Sequence, residues 1–463
     1  MSHGPYASDV VSLTGRGMAT DYARALLESL GTRVSVSAGP EDVSPAAAWA
    51  RSGLMALTGL ADGPPQMCPA PLASCADGAL KALGCIAPAS SGDLLPSGSA
   101  LLGERAAIAG LRRNGAISPG GGCRLLAASD GWLALSVTRE VDWSDLPAWL
   151  EHEPVDSWDA IGAIVASRRA APLVERARLL GLAACISTPP ATTTAQWCGA
   201  TRHGAPASSE RRQRPPRVVD LSSLWAGPLC SHLLQLLGAR VVKVESRSRP
   251  DGARSGPPGF YDLLNAGKRS VALDFAADGF RRLHELLDWA DVVIESSRPR
   301  GLRQLGVIAE DCIARRSGLT WISITGYGRE EPECNWIAFG DDAGVAAGLS
   351  SLMQQATGRP LFCGDAIADP LAGIHAAVAG LLSHRSGGGR LLSIALRDVV
   401  AHCVGFARPP DAAAWRKRWQ VWTVEARSQE LDATPPCART AGGPARPLGT
   451  DDDSALAGWG DAC

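Results

Sequence analysis

Residues 217–246 read RVVDLSSLWAGPLCSHLLQLLGARVVKVES, a β-branched strand, a helix and a second β-branched strand in immediate succession. The helical part runs from Pro228 to Leu237 with apolar residues at helical spacing, and Gly238 stands where a left-handed residue ends a helix. Working outward, the same switch of period recurs. RSVALDF (269–275) is a strand, 279–290 a helix, DVVIESS (291–297) a strand and LTWISITGYG (319–328) another. Strands alternating with helices of about a dozen residues predict βαβ units and a parallel, doubly wound sheet, an α/β fold.

The chain has 463 residues, too long for one hydrophobic core. Its formal net charge of −2 supplies no basic field for nucleic acid. Thirteen cysteines form no Cys-x-x-Cys pair and no zinc-type cluster with His, so they read as small buried hydrophobes and not as a metal or disulfide framework. The first fifteen residues carry no basic segment leading into an apolar run, and no apolar stretch is long enough for a bilayer, so the expectation is a cytoplasmic protein without membrane contact. Ser187 to Arg217 is rich in Pro, Thr, Ser and Arg without an apolar period and reads as a linker. The predicted organisation is therefore residues 1–187, a linker at 188–216, a catalytic α/β domain at 217–407 and a C-terminal tail at 408–463.

The first part resembles a shortened copy of the second. Laid over 348–373 without a gap, residues 53–78 share nine of 26 positions, among them Gly53/Gly348, Cys68/Cys363 and Gly78/Gly373. A weaker match repeats Leu26, Leu27, Leu30, Gly31, Arg33 and Val34 as Leu233, Leu234, Leu237, Gly238, Arg240 and Val241. Within the first part, 124–137 reads as a hairpin turning at Ser129-Asp130-Gly131, followed by helical periodicity, which predicts a small α+β domain over about 100–187.

Three features carry candidate chemistry. Asp369-Pro370 opens an apolar helix, with Asp369 expected as the cap and Pro370 as the first helical residue. A carboxylate there would stay ionised and face backbone donors able to stabilise an oxyanion. The run Gly120-Gly121-Gly122 before a strand can bring backbone close to a ligand. Lys268-Arg269 could meet phosphates, and Asp341-Asp342 reads as a second helix cap. Among the described motif families, no nucleophile elbow, Walker loop or dinucleotide GxGxxG occurs, which weakens a dehydrogenase reading.

The segments 218–245, NAGKRSVALDF, ADVVIESSRPRGLRQLG, LTWISITGYG and GDAIADPLAGIHAAVAGLL resemble, in order and approximate spacing, the family III CoA-transferases. PPCARTAGGPARPLGTDDDSAL (435–456) resembles the Pro-rich ending of these proteins. The resemblance implies a Rossmann-like large domain interlocked with a small α+β domain. It places the catalytic aspartate on Asp369, the glycine loop over it on Gly120–Gly122, and coenzyme A contacts on Trp225, Ala226, Gly227, Lys243, Glu245, Lys268, Arg269, Ser296, Ser297 and Arg298. The implied substrates are an acyl-CoA thioester and a carboxylic acid, with no permanently bound cofactor and no metal. Where the family has Asn-Phe, this chain has Ser296-Ser297, and a nearby family arginine falls on Gln304. The position matching Asp369 in the first copy is Ser74. Related racemases carry His-Asp at Asp341-Asp342, so racemisation lacks one acid/base group here.

The two copies lack complementary parts, which predicts an intramolecular pseudo-dimer, or else a homodimer, with one site built from Asp369 and the glycine loop. The chain is expected to move CoA from an acyl-CoA to a carboxylic acid. An acyl-CoA racemase or isomerase, or a non-catalytic acyl-CoA-binding protein, are the alternatives.

Overall fold

The computed structural model describes residues 10–88, 92–151, 155, 157–193, 195–275, 277–431 and 434–457. Their strands are β1 (Val10–Arg16), β2 (Arg33–Glu41), β3 (Cys123–Ala128), β4 (Gly131–Ser136), β5 (Ala183–Ile186), β6 (Cys198–Arg202), β7 (Arg217–Asp220), β8 (Arg240–Ser246), β9 (Arg269–Leu273), β10 (Val292–Glu295), β11 (Thr320–Thr325) and β12 (Arg390–Ala395). The seven-stranded sheet runs β6-β12-β11-β10-β7-β8-β9. Its six parallel strands, counted along the chain, fall in the order 3-2-1-4-5-6 of the doubly wound dinucleotide-type fold.

Two parts of this sheet depart from the expectation. The segment 188–216, read as linker, supplies β6, which pairs antiparallel with β12 and makes the sheet mixed. Trp197, just before β6, is buried against His375 and His402, and this apolar anchor holds the segment down. The strand β12 had no counterpart in the sequence reading either. Its Leu-Leu-Ser-Ile-Ala run is short and, after Gly387-Gly388-Gly389, passes straight into the helix Leu396–Gly405, so no alternation marks it as a strand.

A three-stranded antiparallel sheet, β3-β4-β5, forms the small module. The β3–β4 hairpin turns over Ser129-Asp130 as expected, and Leu133, Trp149, Ile161 and Leu173 close a separate core beneath it. The module faces the C-terminal half: Ser136 at the end of β4 reaches Asp342.

The N-terminal part begins as a β-α-β unit in which β1 and β2 pair in parallel around the helix Met18–Ser29. The unit β7, helix Ala226–Leu236, β8 is built alike. In both, a later helix packs against the connecting one: Leu72–Ile86 on Met18–Ser29, and Ala368–Arg385 on Ala226–Leu236. The close approach is made by Gly78 and Gly373. A Cβ on Gly78 would lie 2.4 Å from the Ala19 carbonyl and 3.0 Å from Tyr22 Cβ; on Gly373 it would lie 2.6 Å from the Ala226 carbonyl and 3.1 Å from Leu229 Cβ. Ala19 and Tyr22 stand to Ala226 and Leu229 in the same register that pairs Leu26 with Leu233. Leu72–Ile86 and Ala368–Arg385 also pack on each other, so Leu26, Leu83, Leu371 and Val378 belong to one continuous core.

The tail does structural work of its own. After the helix Ala412–Ser428, residues 434–457 run from the N-terminal part to the far sheet edge. Arg439 pairs with buried Glu104 and contacts His232, while the Asp451 and Asp452 carboxylates accept the N–H groups of Ser270 and Ala272 on edge strand β9 at 2.9 and 2.8 Å. Edge donors left open would recruit foreign strands. Among the described residues, no helix is long and apolar enough to cross a membrane, and no group of His, Cys, Asp and Glu is placed to hold a metal ion.

Candidate active site

Asp369 lies in the first turn of the helix Ala368–Arg385, two residues further in than expected: Ile367 holds the cap position, Pro370 is the third helical residue and not the first, and the Asp369 N–H donates to the Ala366 carbonyl at 2.9 Å. Ala366 itself adopts a left-handed φ of 42°, which turns the chain sharply into the helix. The Asp369 side chain retains part of its solvent exposure. Gly340 makes room for it, since a Cβ there would sit 2.3 Å from Asp369 Oδ2.

Three more carboxylates surround it. Asp341 and Asp342 open the helix Gly340–Ala346, and Asp365 precedes Asp369 by four residues. Asp342 Oδ1 accepts the Phe339 N–H at 2.8 Å and the Ser136 hydroxyl at 2.9 Å, and Tyr327 Oη lies 3.4 Å from its Oδ2. Asp341 accepts the Ala366 N–H at 2.8 Å and a bond from Ser118. The sequence-level reading of this pair as a cap holds for Asp342, but both acids also belong to the site.

The electrostatics differ from the expected ionised nucleophile. Burial pushes the Asp369 carboxyl up to about 7; Arg105 opposes this, while Asp341, Asp342 and Asp365 add to it. Burial, with Asp365 beside it, raises Asp341 to about 6, and burial raises Asp342 to about 7. Desolvation and like charge thus outweigh the helix terminus. The opposing cation comes from the N-terminal part. Arg105 forks onto Asp365, Nε to Oδ2 at 2.8 Å and Nη2 to Oδ1 at 2.5 Å. Its guanidinium lies 5.6 Å from the Trp225 ring.

The glycine loop comes to the same place. A Cβ on Gly120 would lie 3.3 Å from Arg105 Nη2 and 3.7 Å from Asp365 Oδ1, so the loop backbone rests on the Arg105–Asp365 pair. Gly121 closes a turn onto Ser118 with φ 78°, and Gly122 packs against Thr138.

The residues expected to contact coenzyme A divide into two groups. Lys243 and Lys268 are buried and committed to internal partners. Lys243 binds Asp251 at 2.9 Å and the Ser222 carbonyl; Lys268 binds Asp220 at 3.2 Å, Ser231 at 2.7 Å and Asn265 at 3.0 Å. Burial alone would raise Asp220, but these two lysines and the Ser222 and Ser231 hydroxyls hold it at about 2. Burial brings Lys268 down to about 8. Glu245 is equally occupied, by Arg254 at 2.7 Å, the Asp251 N–H and Tyr261. Arg269 donates to the carbonyls of Ser454, Ala455 and Ala457 in the tail.

The second group faces the crevice between β7 and β10, where the strand order reverses and doubly wound folds bind ligands. Trp225, Ala226 and Gly227 begin the helix after β7, and Gly227 is required because a Cβ would meet Ser222 Oγ at 2.1 Å. Ser296 Oγ accepts the Ser223 N–H at 3.0 Å across the crevice, and Ser297 lies beside Glu295. Arg298 is half-buried, and burial together with neighbouring Arg300, Arg139 and Arg249 lowers its pKa, the mark of a cation among cations. Arg300, Arg303, Tyr327, Arg329 and Asp398 are among the residues lining a groove of about 880 Å³ that runs along β6 and β12. Tyr327 therefore touches both the groove and the acid cluster.

Sequence reasoning missed Arg105, Asp365, Ser118, Ser136 and Tyr327. Asp365 and Asp369 were both visible in the sequence, but Asp365 lies before the helix Ala368–Arg385, beyond the left-handed turn at Ala366, so no helical spacing linked the two. Arg105 carried no signal, because its partner lies 260 residues away.

The fold is an α/β one with a mixed, mostly parallel seven-stranded sheet, and Asp341, Asp342, Asp365 and Asp369 cluster in its C-terminal half. Residues 216–417 match the model of CoA-transferase family III. A succinate–glutarate CoA-transferase of Agrobacterium fabrum is 32% identical over 209 residues, covering 40% of this chain and 52% of that protein. A formyl-CoA:oxalate CoA-transferase of Escherichia coli is 28% identical over 197 residues, 40% of this chain and 47% of its own. A CAIB/BAIF family protein from Brucella suis, solved by crystallography, aligns at 30% identity with a TM-score of 0.38, over 41% of this chain and 54% of that one. The chain spans about half the length of the curated relatives it matches.

Proposed function

We propose that the protein is a CoA-transferase that moves CoA from an acyl-CoA thioester to a carboxylic acid through covalent intermediates on Asp369. The observation that carries this reading is the placement of Asp369: partly solvent-accessible, in the first turn of a long helix, inside a family-matching segment, beside a glycine loop and the switch-point crevice. The ionised carboxylate attacks the thioester carbon, the C–S bond breaks, and CoA thiolate leaves a mixed anhydride. The thiolate attacks the aspartyl carbonyl, giving an aspartyl-CoA thioester and releasing the donor acid. An acceptor carboxylate attacks that thioester, and the displaced thiolate then takes the acceptor acyl group and restores Asp369. No metal or resident cofactor enters any step.

The nucleotide phosphates fall to Arg298, Arg300 and Arg249, because Lys243 and Lys268 are already satisfied by buried acids. The site is composite. Arg105, Ser118, Gly120 and Ser136 come from the N-terminal part and meet acids from the C-terminal part, which supports a diverged duplication interlocked within one chain. Because the two parts share one core, deleting residues 1–187 exposes it and leaves an insoluble or inactive remainder; a soluble, active 217–463 fragment would sink the composite site.

The test is peptide mass spectrometry of the full chain incubated with a panel of acyl-CoAs and quenched with hydroxylamine. A hydroxamate on Asp369 supports the transferase. Its absence across the panel, with turnover retained by Asp369→Asn, overturns it. One observation favours a second reading, an acyl-CoA racemase or isomerase: Asp341 and Asp369 are neighbouring acids held near neutrality. Deuterium entering the α-carbon from heavy water without CoA exchange would select it.

A further inference from the structure

The N-terminal part contributes more than a lid. Arg105, on the short helix Glu104–Ala109, is fixed on three sides: by the fork onto Asp365, by the Gly120 backbone and by the Trp225 ring. Asp365 is fully buried, whereas the Arg105 side chain keeps 31% of its exposure, so the guanidinium borders the space in front of the acids. Glu104, the preceding residue, is locked by Arg439 of the tail, which stops this short helix from turning away. We propose that Arg105 is a positioning residue for Asp369: its guanidinium, held by Asp365, sets how readily the Asp369 carboxylate is presented as an anion. This inference rests on the transferase reading for its purpose, though its physical content does not.

The charged groups facing Asp369 come from every packed element. Asp341 and Asp342 stand on the helix Gly340–Ala346, Asp365 on the approach to the Asp369 helix, and Arg105 on its own helix. Behind Asp342 lie Tyr327, Ser136 and the thiols of Cys123 and Cys185, and Arg178 lies beside Tyr327. Arg105 acts on both Asp341 and Asp369 against the mutual repulsion of the acids. Removing its charge while Asp365 stays should make the Asp369 carboxyl harder to ionise. Removing the Asp365 charge while Arg105 stays should make it easier. The two variants therefore move Asp369 in opposite directions, which loss of packing alone cannot do.

The experiment measures esterification of Asp369 by a water-soluble diazo compound, which reacts with the protonated acid, as a function of pH in the full chain by peptide mass spectrometry. Arg105→Gln should shift the midpoint at least one unit upward, Asp365→Asn should shift it downward, and Arg105→Lys should restore most of the wild-type value. Asp365→Asn keeps shape and one acceptor for Arg105, so the inference stays testable if Arg105→Gln folds poorly. Unchanged midpoints, or shifts of the same sign in both, overturn it. This readout needs no turnover, so it separates from the hydroxamate test. An adduct on Asp369 with unmoved midpoints ends the Arg105 role and leaves the transferase. Opposite shifts without any adduct leave the electrostatic role and end the transferase.

Discussion

The helices Leu72–Ile86 and Ala368–Arg385 are built on one plan and differ where chemistry would occur. Each presses a glycine, Gly78 or Gly373, onto a helix-start carbonyl, Ala19 or Ala226, at nearly the same distance. Four residues before that glycine, one helix carries Ser74 and the other Asp369. Ser74 is 1% exposed, and its hydroxyl has no hydrogen-bond partner among the described residues. Asp369 stands among Asp341, Asp342 and Asp365, and Arg105 forks onto the last of these. The same helix-pair packing therefore occurs with and without an acid cluster beside it, since packing depends on small residues at fixed spacing and a site depends on what surrounds one side chain.

The comparison breaks most sharply at the proposed nucleophile. Asp369→Asn should lower CoA transfer by about 10³-fold or more while acyl-CoA binding changes little, because the carboxylate acts in the chemical steps. Steady-state kinetics with binding by calorimetry checks this. A variant with near-wild-type turnover would make the two helices equivalent after all.

Next comes the shared contact. Alanine usually gains about 1 kcal/mol over glycine inside a helix. Here the new Cβ would sit 2.4 Å or 2.6 Å from a backbone carbonyl, so overpacking wins and each of Gly78→Ala and Gly373→Ala should cost about 1–3 kcal/mol. Urea midpoints test it. Similar losses in both sharpen the structural equivalence; a loss in one alone breaks it.

A smaller effect follows from protonation. Burial holds the Asp369 carboxyl at about 7 against an ordinary 3.8. Between those values the folded chain keeps a proton that the unfolded chain has released, so stability falls as pH rises through the window. The contribution is whole below about 4 and lost above about 7. Asp369→Asn removes this slope, so its stability relative to wild type should improve between pH 5 and pH 8, read from urea midpoints at both. Ser74, which does not titrate, supplies the control: Ser74→Ala should show no such trend.

What the sequence disclosed follows from range. The strands β7, β8, β9 and β10 and the β3–β4 hairpin declared themselves through β-branched runs and turn residues, which are local. The strand β6 did not, because Cys-Gly-Ala-Thr-Arg becomes a strand only by lying along β12, with Trp197 as its anchor. Asp369 was legible as a helix start and through the resemblance, but its protonation was not, since Asp341 and Arg105 lie far away in sequence. The partners of Lys243 and Lys268 were hidden for the same reason: the resemblance set both at the coenzyme A contacts, while the acids that hold them, Asp251 and Asp220, are brought there by the fold.

The smallest effect is expected at Ser74 itself. Its hydroxyl is buried and has no hydrogen-bond partner among the described residues. A buried hydroxyl without a partner carries a desolvation penalty of about 1–3 kcal/mol, while the small side chain that replaces it loses almost no contact area. Ser74→Ala should therefore leave stability unchanged or raise it by about 1 kcal/mol, with transfer activity intact. Denaturant midpoints and initial rates measured on one preparation decide the matter. Should turnover fall instead, Ser74 would be acting through the helix interface it shares with Ala368–Arg385, and the contrast between a silent position and a reactive one would have to be redrawn as a coupling between them.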